Sequence, residues 1–184
     1  FTINSPGSVG WSYIDGDDAN TGEFRNISYT NEGAKMAYII MKPDEATGME
    51  SVSAHSGTQF WACPYATGGW FSSVSNDDYI VSPQLHFTQP FTLSFYARSF
   101  SSSYADEKFY VEYSTSGNNA GDFSPVNGSE VTTTTTWREY SYTIPAEAKY
   151  VAIHCVSNNQ YMLCIDDIFL SGTVINGYTY NVYR

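Results

Sequence analysis

The chain has 184 residues, 42% of them apolar and only 15% charged, which excludes a disordered acidic tail or a coiled coil and fits one globular domain. Nineteen acids against eight bases give a formal charge of −11, so the surface repels phosphate backbones and anionic lipid and argues against a nucleic-acid partner. No apolar run approaches the roughly 20 residues of a membrane helix, so no membrane insertion is expected.

The chain opens on FTINSPGSVGW, which has neither a Met nor the basic start and apolar middle of a signal peptide. A targeting segment is therefore expected to lie outside this sequence. WSYIDGDDA (11–19) reads as an aspartate-rich loop containing glycine, and AYIIM (37–41) as the first clear strand. DEATGME (44–50), like AEAK (146–149) further on, holds at most a turn or two of helix. FWACPYATGGWF (60–71) gathers Phe60, Trp61, Tyr65, Trp70 and Phe71 around a Gly-Gly turn. Strands are then predicted at DYIVS (78–82), FTLSFYAR (91–98), KFYVEYST (108–115), REYSYTI (138–144), YVAIHCV (150–156) and YMLCIDDIFL (161–170). In FTLSFYAR the alternation of Phe91, Leu93, Phe95 and Ala97 with polar residues puts one face on a core. TTTTTW (132–137) reads as an exposed edge. Short strands with almost no helix predict an all-β antiparallel sandwich.

VSNNQYML, between Cys155 and Cys164, suggests a tight hairpin whose register sets the two cysteines opposite each other. They are then either a cross-strand disulfide or two reduced core thiols, and Cys63 has no evident partner. SGTVING (171–177) is a turn-rich bridge and YTYNVYR begins a fresh strand, which either pairs back onto the sandwich or opens a following module. The division expected is a domain at 1–171, followed by a linker and the possible first strand of a further module at 172–184.

Several constellations carry possible chemistry. Asp15, Asp17 and Asp18 sit where alternate carboxylates converge on a cation, although the same residues also suit a solvated turn with Asx hydrogen bonds. Asp166 and Asp167 interrupt an apolar strand, and adjacent strand residues face opposite ways, so one of them meets the protein and needs a metal, an arginine or several donors. Asn76, Asp77 and Asp78 can be read as another metal cluster, although a turn that stops one strand and starts the next is the more economical reading, and Asp106, Glu107 and Asp122 read as surface acids. His55, His86 and His154 are widely separated, with no HExxH, and no GxSxG elbow marks a serine hydrolase. Nothing promotes catalysis, so no enzyme is expected. Trp70 and Phe71, beside flexible glycines, are the candidate ligand-binding rings.

WSYIDGDDA resembles the WxxxDADGDG opening of the cleaved-adhesin, or choice-of-anchor J, domains of gingipain proteases and haemagglutinins of Bacteroidetes-type bacteria. AHSGTQF (54–60), NDDYIVSPQL (76–85), YVEYSTSGNNAGDF (110–123), AEAKYVAIHC (146–155) and YMLCIDDIFL follow in the order those domains use. The family commonly opens with Phe-Glu, whereas here Phe1 is followed by Thr2. The resemblance implies a jelly-roll β-sandwich of the galactose-binding-like or MAM-like kind, stabilised by calcium. It implies a secreted or cell-surface adhesion module, tethered to other modules, that binds a host extracellular protein, a haem protein or a glycan. The metal ligands it suggests are Asp15 and Asp17 with Asp166 or Asp167, and a carbonyl near Ser56. The alternative is a carbohydrate-binding module attached to a glycan-degrading enzyme, because the same fold serves both.

Overall fold

The computed structural model describes residues 10–24, 26–69, 72, 74–126 and 130–175. Its strands, in chain order, are β1 (Ser12–Asp15), β2 (Asn20–Thr21), β3 (Ile39–Met41), β4 (Phe60–Pro64), β5 (Ala66–Thr67), β6 (Asp78–Val81) and β7 (Phe91–Ser99). They continue as β8 (Lys108–Ser114), β9 (Ser124–Pro125), β10 (Val131–Thr132), β11 (Arg138–Ile144), β12 (Tyr150–Cys155) and β13 (Met162–Ser171). One sheet runs β11-β7-β13-β4-β3, and the other β1-β6-β12-β8-β10 with β9 also on β8. The strand pairs are antiparallel, and β2 and β5 form a small separate ribbon. The result is the expected β-sandwich.

The core follows from period-two patterning. On β7, every second residue from Phe91 to Ser99 is buried. Phe91, Leu93, Phe95 and Ala97 meet Phe109, Val111, Val151 and Ile153 of the facing sheet in one apolar cluster. Phe95 packs edge-on to Phe109 at 5.4 Å. A second cluster, with Ile39, Met41, Phe60, Ala62, Met162 and Cys164, includes Tyr29, Met36, Met49 and Val52 from the segments flanking β3. Because β4 packs on both sides, all five of its residues are buried, and it lacks the alternation that marks a half-exposed strand.

Two sequence expectations change. Cys155 and Cys164 do not face each other across a hairpin: β12 lies in one sheet, with Cys155 opposite Asp78 and Phe109, while β13 lies in the other, with Cys164 opposite Ala62 and Arg98. Both flanks of each strand are already paired, so the connection crosses between layers, and all three cysteines are free, buried thiols. Glu107 is not a surface acid but is 1% exposed, its Oε1 accepting the Tyr161 N–H at 2.7 Å. Beyond β13, Thr173 and Ile175 run back along residues 86–88, where Thr88 N–H donates to the Thr173 carbonyl at 2.9 Å and Ile175 N–H to that of His86 at 3.0 Å. Residues 176–184, including the predicted YTYNVYR strand, lie outside the described residues.

Candidate metal centre and adjoining cleft

Asp15 ends β1, and the residue opposite it on β6 is Asp78. Opposed residues of an antiparallel pair share a face, where two like charges repel. This face is the inner one, since Asp78 also stands opposite Cys155 of the main core and is itself 1% exposed. Asp17 arrives from the loop after β1. That loop folds onto the residue preceding β6: Gly16 N–H donates to the Asp77 carbonyl at 2.8 Å, and Asp77 N–H donates to Asp17 Oδ2 at 3.3 Å. A Cβ on Gly16 would stand 2.4 Å from the Asp77 carbonyl oxygen, so glycine permits the approach. One carboxylate oxygen from each of Asp15, Asp17 and Asp78 thereby falls within 4.8 Å of the others.

These carboxylates are unequally satisfied. Asp15 Oδ1 accepts the Asp18 N–H and Asp17 Oδ1 the Ala19 N–H, both at 2.8 Å. Asp78 Oδ2 accepts from the Asn76 amide at 2.8 Å and the Cys63 thiol at 3.5 Å. Asp78 Oδ1 is buried with no hydrogen-bond partner among the described residues. Burial pushes the Asp78 carboxyl up to about 8, against the pull of Asn76, and burial likewise raises Asp15. Lys35 pairs instead with the exposed Asp18, at 2.9 Å. Oxygen donors from two strands and a loop, one of them orphaned, fit a hard divalent cation such as calcium.

Asp166 and Asp167 form a second group, on β13 of the other sheet, and neither carboxylate joins the first cluster. Asp166 Oδ2 accepts the N–H groups of His55 (2.8 Å) and Ser56 (3.2 Å), and Oδ1 accepts that of Asp167 (2.8 Å). Burial raises its pKa and these donors lower it. Of the outcomes the sequence left open for this buried acid, the structure shows several donors. Asp167 adopts φ 50° at an irregularity in the β13–β7 ladder, and its carboxylate meets His55 Nδ1 at 2.7 Å and accepts from Ser56 Oγ at 2.6 Å. Ser56 thus presents its N–H and hydroxyl to the two aspartates. Both the Ser56 hydroxyl and the His55 imidazole thus turn to Asp167 rather than to each other.

A cleft of about 680 Å³ opens beside the first cluster, against the β2–β5 ribbon, and Asp17 lines it together with Asn20, Glu23, Tyr65, Thr67 and Gly69. The Tyr65 ring lies so close to Gly22 that a Cβ there would overlap it, and the Tyr65 hydroxyl donates to the Glu23 carbonyl at 3.0 Å. Trp70 and Phe71 lie outside the described residues. Phe60 and Trp61, from the same aromatic segment, are buried in the core.

Two residues here carry an inward signal that the turn reading of 76–78 and the wide spacing of the histidines outweigh in the sequence. Asp78 opens a strand two residues before Ile80, a core residue, so the same period that buries Ile80 turns Asp78 inward. His154 interrupts the apolar run of β12, and its ring stacks on Tyr79 at 3.7 Å, between Asp77 Oδ1 at 2.7 Å and Glu112 Oε1 at 3.4 Å.

A family model described as Cleaved Adhesin Domain matches residues 8–170. The chain belongs to the cleaved adhesin family. Relatives of this cleaved adhesin domain include Lys-gingipain W83 and Hemagglutinin A of Porphyromonas gingivalis, each 29% identical over 125 residues, or 59% of this chain. Those residues span only 7% and 6% of the two relatives. Among solved structures, the K1 Cleaved Adhesin domain of Lys-gingipain from P. gingivalis W83 is similar with a TM-score of 0.70, at 20% identity over 90% of this chain and 92% of that one. TmCBM61, solved with β-1,4-galactotriose, is similar with a TM-score of 0.54, at 15% identity over 92% and 90%. At these identities the two structures show the fold alone, a β-sandwich that cleaved adhesin domains share with carbohydrate-binding modules.

Proposed function

We propose that this domain is a non-catalytic adhesion module of a larger secreted or cell-surface polypeptide, that it binds a host extracellular protein, haem protein or glycan, and that calcium stabilises it. The observation carrying this reading is the family match over residues 8–170, together with relatives named as gingipain and haemagglutinin in which the matching stretch is a small part. In keeping with it, the family match ends at residue 170, within the module expected at 1–171. The hydrogen bonding of Ser56 and His55 to Asp167, rather than to each other, supports the non-catalytic reading. Calcium is supported by the carboxylates of Asp15 and Asp17, with Asp166, Asp167 and Ser56 as the second candidate group.

The cleft is the candidate place for a ligand. Its mixture of carboxylate, amide and hydroxyl groups around one tyrosine suits a glycan or a polar protein side chain. This lining, and the fold shared with TmCBM61, favour glycan recognition as the second reading. Beads displaying many copies of the domain, mixed with erythrocytes and separately with neutral oligosaccharides, test both. Retention of erythrocytes that a Tyr65→Ala variant loses is the expected result. Capture of oligosaccharides alone would favour the carbohydrate-binding alternative, and no capture of either would contradict the adhesion reading.

A further inference from the structure

We propose that Cys63 and Cys155 form a redox site, a dithiol that oxidises to a disulfide linking the two sheets of the sandwich. The proposal is independent of the calcium and ligand readings, and the bond suits the secreted or surface setting, where disulfides persist.

The sequence leaves Cys63 without a partner, and the fold supplies one. Cys63 lies on β4 of one sheet and Cys155 on β12 of the other, and both belong to the apolar cluster between the layers. The structure shows the reduced form, with the Cys63 thiol within hydrogen-bonding reach of the Cys155 thiol. Asp78 locates both sulfurs independently. It stands directly opposite Cys155 on the β6–β12 ladder, so the two side chains share the inner face, and its Oδ2 accepts from Cys63 Sγ at 3.5 Å. The strand pleat excludes Cys164. That residue sits opposite Ala62, the neighbour of Cys63, and packs with Met41 and Phe60 in the second cluster, on the other face of the same sheet.

The bond forms by exchange with a low-molecular-weight disulfide. One cysteine thiolate attacks a sulfur of that disulfide, whose S–S bond breaks and releases a thiolate; the second cysteine thiolate then attacks the mixed disulfide and displaces the other half. Two protons pass from the cysteines to the two released thiols, and two electrons pass from the cysteine sulfurs to the oxidant. Burial decides when this happens. Cys63 and Cys155 are 1% and 0% exposed, and burial holds the Cys63 thiol well above its ordinary range, so in the closed sandwich Cys63 stays neutral and neither sulfur meets an oxidant. The bond is therefore made while the chain folds, and the closed core then shields it from reductants.

The test refolds the reduced chain from urea in a mixture of oxidised and reduced glutathione, and separately in dithiothreitol. Each sample is unfolded in excess N-ethylmaleimide and weighed by mass spectrometry, so that every free thiol adds one adduct. With three cysteines in the chain, the expected result for wild type is one adduct after glutathione and three after dithiothreitol. After glutathione, Cys164→Ala should carry none and Cys63→Ala two, with urea unfolding showing that each variant folds. By closing a loop of about 90 residues, the bond should raise Tm by roughly 10 °C at fixed calcium, a shift absent from Cys63→Ala. Three adducts on wild type refolded in glutathione, or a glutathione mixed disulfide in place of the bond, would overturn the proposal. So would a Cys63→Ala chain that joins Cys155 to Cys164, or a bond that leaves Tm unchanged.

Discussion

At the residue scale, the buried acids govern how stability responds to pH. Glu107 has an ordinary value of 4.5, and burial raises it to about 7 despite the N–H groups of Tyr161 and Met162. Because its folded value lies above its unfolded one, the folded chain holds the proton more tightly. Its contribution is therefore full below about 4.5 and is lost as pH rises through about 7. That difference is worth on the order of 3 kcal/mol. Glu107→Gln should flatten the decline in urea-unfolding stability between pH 5 and about 7.5, measured with calcium held saturating. An unchanged slope would show that Glu107 does not carry it. Glu107 was not legible as buried, because DEKFYV places it before an obvious strand with no contact to reveal that residues 157–162 cover it. Asp15 and Asp17 are legible as a carboxylate loop, whereas for Asp78 the turn reading outweighs the metal-cluster one although its spacing from Ile80 carries the inward signal.

At the element scale, the candidate centre depends on how closely the loop after β1 approaches Asp77. Gly16→Ala would place a Cβ against the Asp77 carbonyl and carboxylate, pushing Asp17 away from Asp78 without removing a ligand. Calcium affinity should weaken about tenfold, a typical effect of disturbing a supporting contact. An unaltered dissociation constant in calorimetry would show that the loop's position is unimportant. On β13, Asp166→Ala would strip the acceptor from three N–H groups and should cost about 3 kcal/mol, whereas Asp166→Asn, which keeps an acceptor oxygen, should cost less. Equal losses in urea unfolding would contradict that division. β7, β8, β11, β12 and β13 were readable from their β-branched and aromatic runs. β4 escaped because burial on both faces erases the alternation, and β1, at four half-buried residues, because a short strand has too little pattern.

At the scale of the whole molecule, composition and strand periodicity were enough to predict a sandwich, and the ordered motifs were enough to resemble the family that the comparisons then showed. Which strands share a sheet was not legible. β12 and β13 follow each other in sequence and look like a hairpin, yet each is claimed on both flanks by strands distant in the chain, so Cys155 and Cys164 fall in different layers. The same topology separates Asp15 and Asp17 from Asp166 and Asp167, which the resemblance suggested as one set of ligands, and brings Asp78 to the first pair instead.

The most direct test is calorimetric unfolding of the chain after metal removal, with and without calcium at about a hundredfold excess over its dissociation constant. A ligand bound only by the folded state then adds about 2.7 kcal/mol. For a domain of this size that corresponds to a rise in Tm of roughly 5–10 °C, the expected result. An unchanged Tm, in protein shown by elemental analysis to be free of metal beforehand, would contradict calcium stabilisation.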